Sequence, residues 1–238
     1  MAINFQPMYV LAAGGERALD QLNNVTNNLS NVNTPGFKKL LINEMSQKIP
    51  DNKGKAGDLL VFPRFEKSTV IQNQGTVKET GRSLDFAIFG EGYFQVETPT
   101  GQLLTRNGHF SVSPDGFLID QNGGYVLDQN KGKIAVDSTK LINVTKEGEI
   151  YQEGKLIAKL GIVQFDSVKP VGNSYYSGTG NSKNAKFSVL QGYLENSNVN
   201  AIESMIDLIN SQRRFEMYGN LMRSLDQIEQ RSNEIGRA

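Results

Sequence analysis

The side chains that could carry out chemistry in this sequence are few and widely separated. His109 is the only histidine and the chain has no cysteine, so His109 lacks the companion ligands of a zinc site and is expected to be a hairpin residue at the surface. Asp115 and Asp120 could be considered as the pair of carboxylates that a glycosidase uses, but nothing in the sequence places them on opposite sides of a cleft. Residues 177–180 (SGTG) lack the Gly-Lys-Ser/Thr ending of a phosphate loop, and a turn is expected there. We therefore predict no catalytic residue, no metal ion and no cofactor.

The composition favours no charged partner. The 238 residues include 25 basic and 25 acidic side chains, so the chain lacks the long-range field that attracts nucleic acid or an anionic membrane. No apolar run reaches the roughly 18 residues needed to span a bilayer. The N-terminal apolar patch MYVLAAGG has no basic residues ahead of it, and a cleaved secretory signal peptide is not expected. If the protein is exported, another route is needed.

The N-terminal segment, residues 1–36, has the spacing of an amphipathic helix. Thr34, Pro35 and Gly36 stop this helix, because the residue before a proline is pushed out of the helical region. The pattern predicts a helix from about Pro7 to Val32. Its apolar residues alternate in four- and three-residue steps, as in a heptad seam, with Gly15 in the one weak position: Leu11, Ala18, Leu22, Val25, Leu29 and Val32.

Five asparagines accompany this seam and are predicted to lie off it: Asn23, Asn24, Asn27, Asn28 and Asn31. Each asparagine costs a helix about 0.6 kcal/mol relative to alanine, so together they weaken the helix by roughly 3 kcal/mol. Burial of the seam offsets this cost only when a partner is present. The asparagines form either a polar solvent face or, as we expect for Asn28 and Asn31, amide contacts to neighbouring subunits.

The middle of the chain is predicted to be a β domain. Residues 37–68 are polar without a clear period, and an extended connector or loop is expected there. From residue 69 to 191, short β-branched and aromatic runs alternate with turn signals at 90–92, 107–108, 114–116, 122–124, 146–148 and 153–155. We expect hairpins at these turns, with Asn107-Gly108 the strongest signal, and a mostly antiparallel sheet.

Residues 192–238 are predicted to form one long C-terminal helix. Asn200 with Glu203 resembles a capping box, and Gly236 is a plausible stop. The apolar residues form two stripes of different phase, first Val199, Ile202, Ile206 and Ile209, then Phe215, Tyr218, Met222 and Leu225. A helix with two stripes requires neighbours on two sides. The fold class is therefore α+β, with terminal helices forming a coiled-coil-like stalk and a central mostly antiparallel β domain.

Charged residues occupy the point where the two stripes change phase. Arg213, Arg214 and Glu216 are either a solvated cluster, with Arg213 and Glu216 paired at three-residue spacing, or a bridge between subunits. The bridge is the sharper hypothesis, because the helix changes neighbours at this point.

Four segments resemble the signatures of the bacterial flagellar rod and hook proteins: NNLSNVNTPGFKK, GRSLDFAIFGEGYFQV, TRNGHFSVSPDG and GYLENSNVNAIESMIDLINSQRRFEM. They lie at both ends and the centre of the chain, in the family's order. The motif SNVNAIESM followed by RRFEM is most similar to proximal-rod members, with distal-rod members next. The resemblance implies a structural protein without enzymatic activity, with no nucleic acid bound and no membrane insertion.

The resemblance also implies an assembly. In the family, the terminal helices pair around a central export channel, and the β domain forms the outer layer of a helical tube that crosses the periplasm and transmits torque for motility. The expected partners are copies of the chain, other rod proteins and the flagellar type III export apparatus. Phe37 and Leu41 fit the family's aromatic-xxx-apolar pattern for export recognition.

The expected subunit interface combines the seam of the N-terminal helix, two of its asparagines, the two stripes of the C-terminal helix and the two arginines between these stripes. Its residues are Leu11, Ala18, Leu22, Val25, Asn28, Leu29, Asn31, Val32, Ile202, Ile206, Ile209, Arg213, Arg214, Phe215, Tyr218, Met222 and Leu225. Three other readings remain open at this point. They are a distal-rod or hook-type axial subunit, a wall-acting hydrolase using carboxylates of the β domain, and a soluble adaptor with a coiled-coil handle that forms a closed oligomer.

Overall fold

The computed structural model describes residues 6–48, 61–183 and 185–235. They divide into two compact units. The helical unit contains the described residues of 1–30, 42–67 and 200–238, and the β unit contains those of 31–41 and 68–199. Helix α1 spans Gln6–Ser30 and helix α2 spans Ala201–Ile235. The predicted combination of two terminal helices and a mostly antiparallel β domain is confirmed.

Helix α1 ends two residues earlier than predicted. The carbonyl oxygen of Asn31 accepts the N–H of Thr34 at 3.1 Å, and the Asn31 Oδ1 accepts the Thr34 hydroxyl at 3.2 Å, so a turn replaces the last predicted helical residues. Gly36 follows in the left-handed region with a φ of 70°. A Cβ on Gly36 would overlap the backbone of Arg106 and Asn107, so glycine is required for both conformation and space.

Helix α2 begins at Ala201, directly after the predicted cap residue, and not at residue 192, where the segment assigned to the C-terminal helix begins. Residues 193–195 pair with an earlier strand instead, and Val199 is buried ahead of the helix rather than part of its first stripe. The Oδ1 of Asn200 accepts the N–H groups of Ile202 at 3.0 Å and Glu203 at 3.3 Å, which confirms Asn200 as the N-cap. The predicted stop at Gly236 lies outside the described residues.

Strands β1 (Leu40–Lys48) and β2 (Val61–Val70) form a two-stranded sheet. The segment predicted as an extended connector or loop, residues 37–68, thus contains two paired strands in its described part, and residues 49–60 lie outside the described part of the chain. Ladder hydrogen bonds use only backbone groups, so strands can pair without the alternation of apolar residues that reveals a half-buried strand in a sequence.

The remaining strands lie in the β unit, and all named strand pairs are antiparallel. They are β3 Val77–Glu79, β4 Phe86–Gly90, β5 Tyr93–Thr98, β6 Gly101–Thr105, β7 Ser111–Val112, β8 Leu118–Ile119, β9 Tyr125–Val126, β10 Ile142–Val144, β11 Glu149–Gln152, β12 Lys155–Lys159, β13 Ile162–Gly172, β14 Tyr175–Lys183, β15 Phe187–Gln191 and β16 Tyr193–Glu195. The largest sheet has the order β13-β14-β6-β5-β9-β8-β7, and β13 also pairs with β5. Strands β10, β11 and β12 form a second sheet, and two pairs, β15 with β4 and β16 with β3, complete the unit.

The core of the β unit is aromatic and aliphatic. Phe86, Phe94 and Phe110 are fully buried, and the rings of Phe94 and Phe110 meet edge to face with centroids 5.2 Å apart. A second cluster contains Tyr93 and Tyr176, whose ring centroids lie 5.5 Å apart. Because β3 and β4 pair with β16 and β15, the core is complete only when residues 187–195 are in place.

Four of the predicted turns connect neighbouring antiparallel strands. Residues 114–116 join β7 to β8, residues 122–124 join β8 to β9, residues 146–148 join β10 to β11, and residues 153–154 join β11 to β12. The turn at 90–92 is not a hairpin, because β4 pairs with β15 while β5 pairs with β6, β9 and β13.

Asn107-Gly108, the strongest hairpin signal, does not form a hairpin. The Oδ1 of Asn107 accepts the N–H of His109 at 3.1 Å, and a Cβ on Gly108 would overlap the carbonyl oxygen of Phe86. The glycine is required for close backbone approach rather than for a positive φ. The predicted turn at 177–180 is also wrong, because these residues lie within β14.

Candidate functional site

The helices α1 and α2 pack against each other within the helical unit. A Cβ on Gly14 would overlap the Tyr218 ring, whereas one on Gly15 would lie 3.7 Å from the Cβ of Tyr218. On the opposite helix, Ser204 and Ser211 are buried, with 2% and 1% of their surface exposed. The glycines of α1 therefore leave room for the Tyr218 side chain of α2.

The N-terminal residues predicted to form a subunit interface are all at least half-buried within the chain itself. Ala18 and Val25 are buried, and five others are half-buried: Leu11, Leu22, Leu29, Asn31 and Val32. Asn28 departs from the prediction that the asparagines lie off the seam, because it is only 3% exposed and its Nδ2 donates to the Oδ1 of Asn24 at 3.0 Å. Hydrogen bonding within α1 thus accommodates an amide on a buried face.

The first stripe of α2 lies on a different face from its buried serines. Ile202, Met205, Ile206 and Ile209 are 72%, 52%, 54% and 51% exposed, and we call these four residues the apolar stripe. Met205 was not part of the predicted interface, although its three-residue spacing from Ile202 would have identified it. The other three are predicted interface residues, and each keeps more than half of its surface exposed.

The second stripe of α2 lies closer to α1. Tyr218, Met222 and Leu225 are half-buried, and Phe215 is 41% exposed. Beside Leu225 is a groove of about 450 Å³, which we call the apolar groove. Its lining comes from both helices: Val10, Leu11, Leu221, Ser224, Leu225 and Ile228.

The charged residues between the two stripes, Arg213, Arg214 and Glu216, lie at the surface of α2. The Arg214 guanidinium donates to the Oε1 of Gln21 on α1 at 3.3 Å, so this arginine links the two helices of one chain. Glu216 accepts a hydrogen bond from Gln212 at 3.2 Å, and Arg213 is exposed. Arg214 thus has a contact within the chain in addition to the bridging role predicted for it.

The β unit contains a buried ion cluster formed by Lys38, Arg106 and Glu195. The Glu195 carboxylate accepts hydrogen bonds from the Lys38 ammonium at 2.6 Å, the Arg106 guanidinium at 2.8 Å and the Gly75 N–H at 2.9 Å. The charged side chains of Lys38 and Glu195 are fully buried, and that of Arg106 is 3% exposed. Two buried cations therefore share one buried carboxylate.

Backbone oxygens and an aromatic ring complete this cluster. Arg106 donates to the carbonyl oxygens of Ile88 at 3.2 Å and Gly90 at 2.6 Å, and its guanidinium carbon lies 5.3 Å from the centre of the Tyr93 ring. Burial lowers the pKa of Lys38 against the opposing effect of Glu195, and burial raises the pKa of Tyr93 to about 12. The two carbonyl oxygens and the aromatic ring thus give the second cation of the cluster partners whose positions are fixed by the fold.

The ion cluster brings together three of the sequence segments singled out above. Lys38 follows TPGF, Arg106 opens RNGHF, and Glu195 lies in GYLENSN. Sequence patterns did not predict this cluster, because Lys38 and Glu195 are 157 residues apart and Arg106 and Glu195 are 89 apart. The sequence offered one indication of the cluster, which is that each of the three segments contains a charged residue.

Hydrogen bonds beside the cluster connect the two ends of the β unit. The Gly36 N–H donates to the carbonyl oxygen of Glu195 at 2.7 Å, and the Lys39 N–H donates to the Oδ1 of Asn198 at 2.6 Å. Phe37, predicted for export recognition, is 7% exposed, whereas Leu41 is 45% exposed. The folded chain therefore presents only one of these two side chains to solvent.

Of the residues considered for catalysis, Asp120 and His109 have structural roles, and Asp115 is exposed in the turn between β7 and β8. Asp120 accepts the N–H groups of Asn122 and Gly124 at 2.9 and 2.8 Å, and its second oxygen accepts the Tyr175 hydroxyl at 2.6 Å. The Nδ1 of His109 lies 2.9 Å from the buried Asp85 carboxylate. Neither arrangement aims an acid and a base at a common open cleft. Neither α1 nor α2, as far as the structure describes them, has an apolar stretch able to cross a membrane.

Comparison with known proteins gives one consistent result. Residues 8–38 match the family described as flagella basal body rod protein, residues 87–152 match the flagellar hook protein FlgE/F/G D1 domain, and residues 190–235 match the flagellar basal body rod FlgEFG protein C-terminal family. The matched regions contain most of α1, all of α2 and many strands of the β unit.

Several curated relatives align along nearly the whole chain. The flagellar basal-body rod protein FlgF of Rhizobium meliloti is 34% identical, with 91% of each chain covered. The FlgF protein of Caulobacter vibrioides is 32% identical, with 85% of this chain and 86% of the relative covered. The flagellar basal-body rod protein FlgG of Bacillus subtilis is 28% identical, with 94% of this chain and 96% of the relative covered.

Proposed function

Because the chain belongs to the flagellar basal-body rod protein family, we infer that it is a structural subunit of the rod of the bacterial flagellum. The observation that carries this inference is the match to relatives named as rod proteins over nearly the whole chain, together with family matches in both terminal helices and the β unit. The roles of Asp120 and His109 in stabilising turns and loops leave the hydrolase reading without support.

Within the rod, we propose a place in the proximal part. The FlgF relatives are 34%, 32% and 30% identical, whereas the FlgG relatives are 26% to 29% identical. The resemblance of the C-terminal motif to proximal-rod proteins points the same way. A distal-rod or hook-type subunit is the alternative within this family.

We propose that the helical unit is the part that assembles. The pair of α1 and α2 would act as a coiled-coil-like stalk around the export channel, with the β unit in the outer layer of the tube. The exposed apolar stripe supports this proposal, because contiguous exposed apolar side chains are typical of surfaces that bind another protein. Copies of the chain and other rod proteins would be the partners, and the tube would cross the periplasm and transmit torque.

Export would precede folding. Phe37 is 7% exposed in the folded β unit, so a receptor that reads Phe37 together with Leu41 could do so only while the chain is unfolded. This supports export through the flagellar type III apparatus in an unfolded state, followed by folding at the site of assembly.

The proposed function is tested by an in-frame deletion of the gene in its own organism. We expect loss of swimming on soft agar and basal bodies without a complete rod, with both restored by the wild-type gene in trans. As a test of the hydrolase alternative, purified full-length protein is incubated with cell-wall sacculi and soluble fragments are measured. Complete rods and normal swimming in the deletion strain, or release of wall fragments above a heat-inactivated control, would contradict the structural role.

A further inference from the structure

Three turns of the β unit surround a cleft of about 420 Å³, which we call the turn cleft. They are residues 98–100 between β5 and β6, the turn between β8 and β9 at Asn122, and residues 171–173 at the end of β13. The volume lies within the range of about 300 to 1,000 Å³ that is usual for small-molecule sites. The cleft is separate from the buried ion cluster and from the predicted subunit interface.

The side chains that line the turn cleft are uncharged. Its polar members are two hydroxyls and two amides, those of Thr98, Thr100, Asn122 and Asn173. A charged ligand would lose water there without gaining an opposite charge, which is unfavourable. Neutral hydrogen-bonding groups beside apolar ones instead suit a ligand that has both apolar C–H faces and hydroxyl groups. Sugar rings have this combination.

The polar groups of the cleft retain hydrogen-bonding capacity. The Thr98 hydroxyl donates to the carbonyl oxygen of Gly101 at 2.8 Å, so the Thr100 hydroxyl donates to Thr98 at 2.9 Å and keeps its own oxygen as an acceptor. The Asn122 amide nitrogen donates to the backbone of Asn173 at 3.2 Å. Within the described part of the chain, the Asn173 side-chain amide has no hydrogen bond. The cleft therefore offers acceptors and a free amide to the hydroxyls of a ligand.

The apolar side of the cleft comes from Pro99, Leu103, Val171 and Tyr175. Tyr175 is only 7% exposed, and its hydroxyl donates to Asp120 at 2.6 Å, which fixes the ring. Val171 is 54% exposed despite being apolar. A ligand with a C–H face would cover Val171 and pack on side chains that are already ordered.

The turn between β13 and β14 is held in one conformation by other segments. Asn173 and Ser174 have positive φ values of 51° and 61°, as a type I′ turn requires, although glycine is usual at the second position. The carbonyl oxygen of Asn173 accepts the Asn122 amide, and that of Ser174 accepts the Thr105 hydroxyl at 3.1 Å. Because the turn is ordered in advance, binding there has a lower entropic cost.

We propose that the turn cleft binds an uncharged sugar unit, either as a free sugar or as part of a glycan chain. The C–H face of the ring packs on the apolar side of the cleft, and its hydroxyls bond to Asn122, Asn173 and Thr100. The interaction is binding only, with no bond broken. It goes beyond the proposed structural role, so either proposal can fail while the other stands.

The test is a titration of the isotopically labelled, purified full chain, followed by protein NMR. The probes are glucose, N-acetylglucosamine and the β-1,4-linked trimer of each, at millimolar concentration. We expect saturable shifts of the amide signals of residues 98–100, 122–124 and 171–175. Tighter binding of a trimer than of its monomer identifies a glycan chain as the source, and equal binding identifies the free sugar. Glucuronate should bind more weakly than glucose, because no cation lines the cleft to pair with its carboxylate.

Two variants and a matched control locate the site. Asn173→Gly removes the free amide and still permits a positive φ, and Thr100→Val removes a hydroxyl from an exposed side chain. Each should weaken sugar binding about tenfold, as expected for the loss of one hydrogen bond. Asn130→Gly makes the same Asn→Gly change in an exposed turn outside the cleft and should bind as the wild type does. Thermal melts confirm that each variant is folded before it is titrated.

Four results would overturn the proposal. They are the absence of saturable shifts with every uncharged sugar, shifts centred outside the three turns, wild-type affinity in both cleft variants, and tighter binding of glucuronate than of glucose. None of them bears on the rod role, which the deletion strain tests separately.

Discussion

Glu195 is the residue on which most of the buried charge of the β unit depends. It accepts hydrogen bonds from Lys38, Arg106 and the Gly75 N–H, and its side chain is fully buried. Removing one partner of a buried ion pair lowers the stability of the fold far more than replacing the whole pair does, because an unpaired charge then remains buried. The cluster therefore ties the folding of the β unit to residues near both of its ends.

Replacing Glu195 should destabilise the β unit more than any surface charge does. Glu195→Ala leaves two buried cations without their carboxylate and should lower the free energy of unfolding by about 3 to 5 kcal/mol. Glu195→Gln retains a carbonyl acceptor and should cost less. The measurement is urea unfolding of the full chain, with Glu153→Ala as a control because Glu153 pairs with Lys140 at the surface. Equal midpoints for Glu195→Ala and the control would show that the cluster does not stabilise the fold.

Tyr93 presents a buried hydroxyl without a hydrogen-bond partner among the described residues. Tyr93→Phe removes this desolvated group and should raise the free energy of unfolding by about 1 kcal/mol at neutral pH. Tyr175→Phe is the matched comparison, because its hydroxyl donates to Asp120 at 2.6 Å and its loss should be destabilising. Thermal melts of both variants decide the issue, and a Tyr93→Phe variant as unstable as Tyr175→Phe would contradict this account.

Alkaline pH should weaken the β unit through its buried phenols. Burial raises the pKa of Tyr93 to about 12 and also raises the pKa values of Tyr175 and Tyr176. Above a pH of about 10 the unfolded phenols lose protons that the folded chain retains, so stability falls as pH rises. Lys38 has the opposite slope up to about pH 10.5, because burial lowers its pKa.

The contribution of one phenol can be isolated by comparing variants. Urea midpoints of wild type and Tyr93→Phe, measured from pH 8 to 11, should diverge above pH 10, with the shallower decline in Tyr93→Phe. Lys38 is present in both proteins and cancels in the comparison. Parallel curves would mean that Tyr93 ionises equally in the folded and unfolded chains.

At the scale of elements, two adjacent glycines of α1 have different neighbours. A Cβ on Gly14 would overlap the Tyr218 ring, whereas one on Gly15 would make ordinary contacts at 3.7 and 3.9 Å. Gly15→Ala should therefore gain up to about 1 kcal/mol of helix propensity without a clash. Gly14→Ala should displace Tyr218 and loosen the packing of α1 on α2.

The comparison of these two alanine variants tests the helix pairing. We expect swimming and basal-body yield near wild type for Gly15→Ala and reduced for Gly14→Ala. Both variants change a glycine to alanine in the same turn of α1, so the two substitutions are chemically matched. If Gly14→Ala assembles rods as well as Gly15→Ala does, close packing of Tyr218 on α1 is not needed for assembly.

The elements that the sequence predicts well are those set by local periodicity. The seam through Ala18 and Val25 and the N-cap at Asn200 depend on residues close in the chain, as do the turns at 114–116 and 146–148. The hairpin predicted at Asn107-Gly108 is wrong. A glycine that is needed for the close approach of the Phe86 carbonyl cannot be told in a sequence from one that is needed for a positive φ. Strands β1 and β2 carry no alternating apolar pattern, and Lys38 and Glu195 are too distant in sequence for any periodicity to link them.

At the scale of the whole molecule, the β unit requires residues from near the C-terminal helix. Strands β15 and β16 pair with β4 and β3, and Glu195 completes the ion cluster. A chain ending after Asn200 should therefore retain a cooperatively folded β unit, whereas a chain ending after Lys186 should not fold. Thermal melts and limited proteolysis of the two truncated chains make the comparison. A resistant β fragment from the shorter chain would show that the last two strands are dispensable.

We expect the helical unit to be the part of the intact protein that assembles. This expectation rests on the exposed apolar stripe of α2 and on the membership of the chain in the rod family. The most direct measurement is electron cryomicroscopy of basal bodies purified from a strain in which this chain is the sole copy. We expect density for the chain in the rod, with α1 and α2 packed against neighbouring subunits around the export channel. Rod density that accommodates the β unit but leaves the apolar stripe facing solvent, or a rod that lacks the chain, would contradict the account.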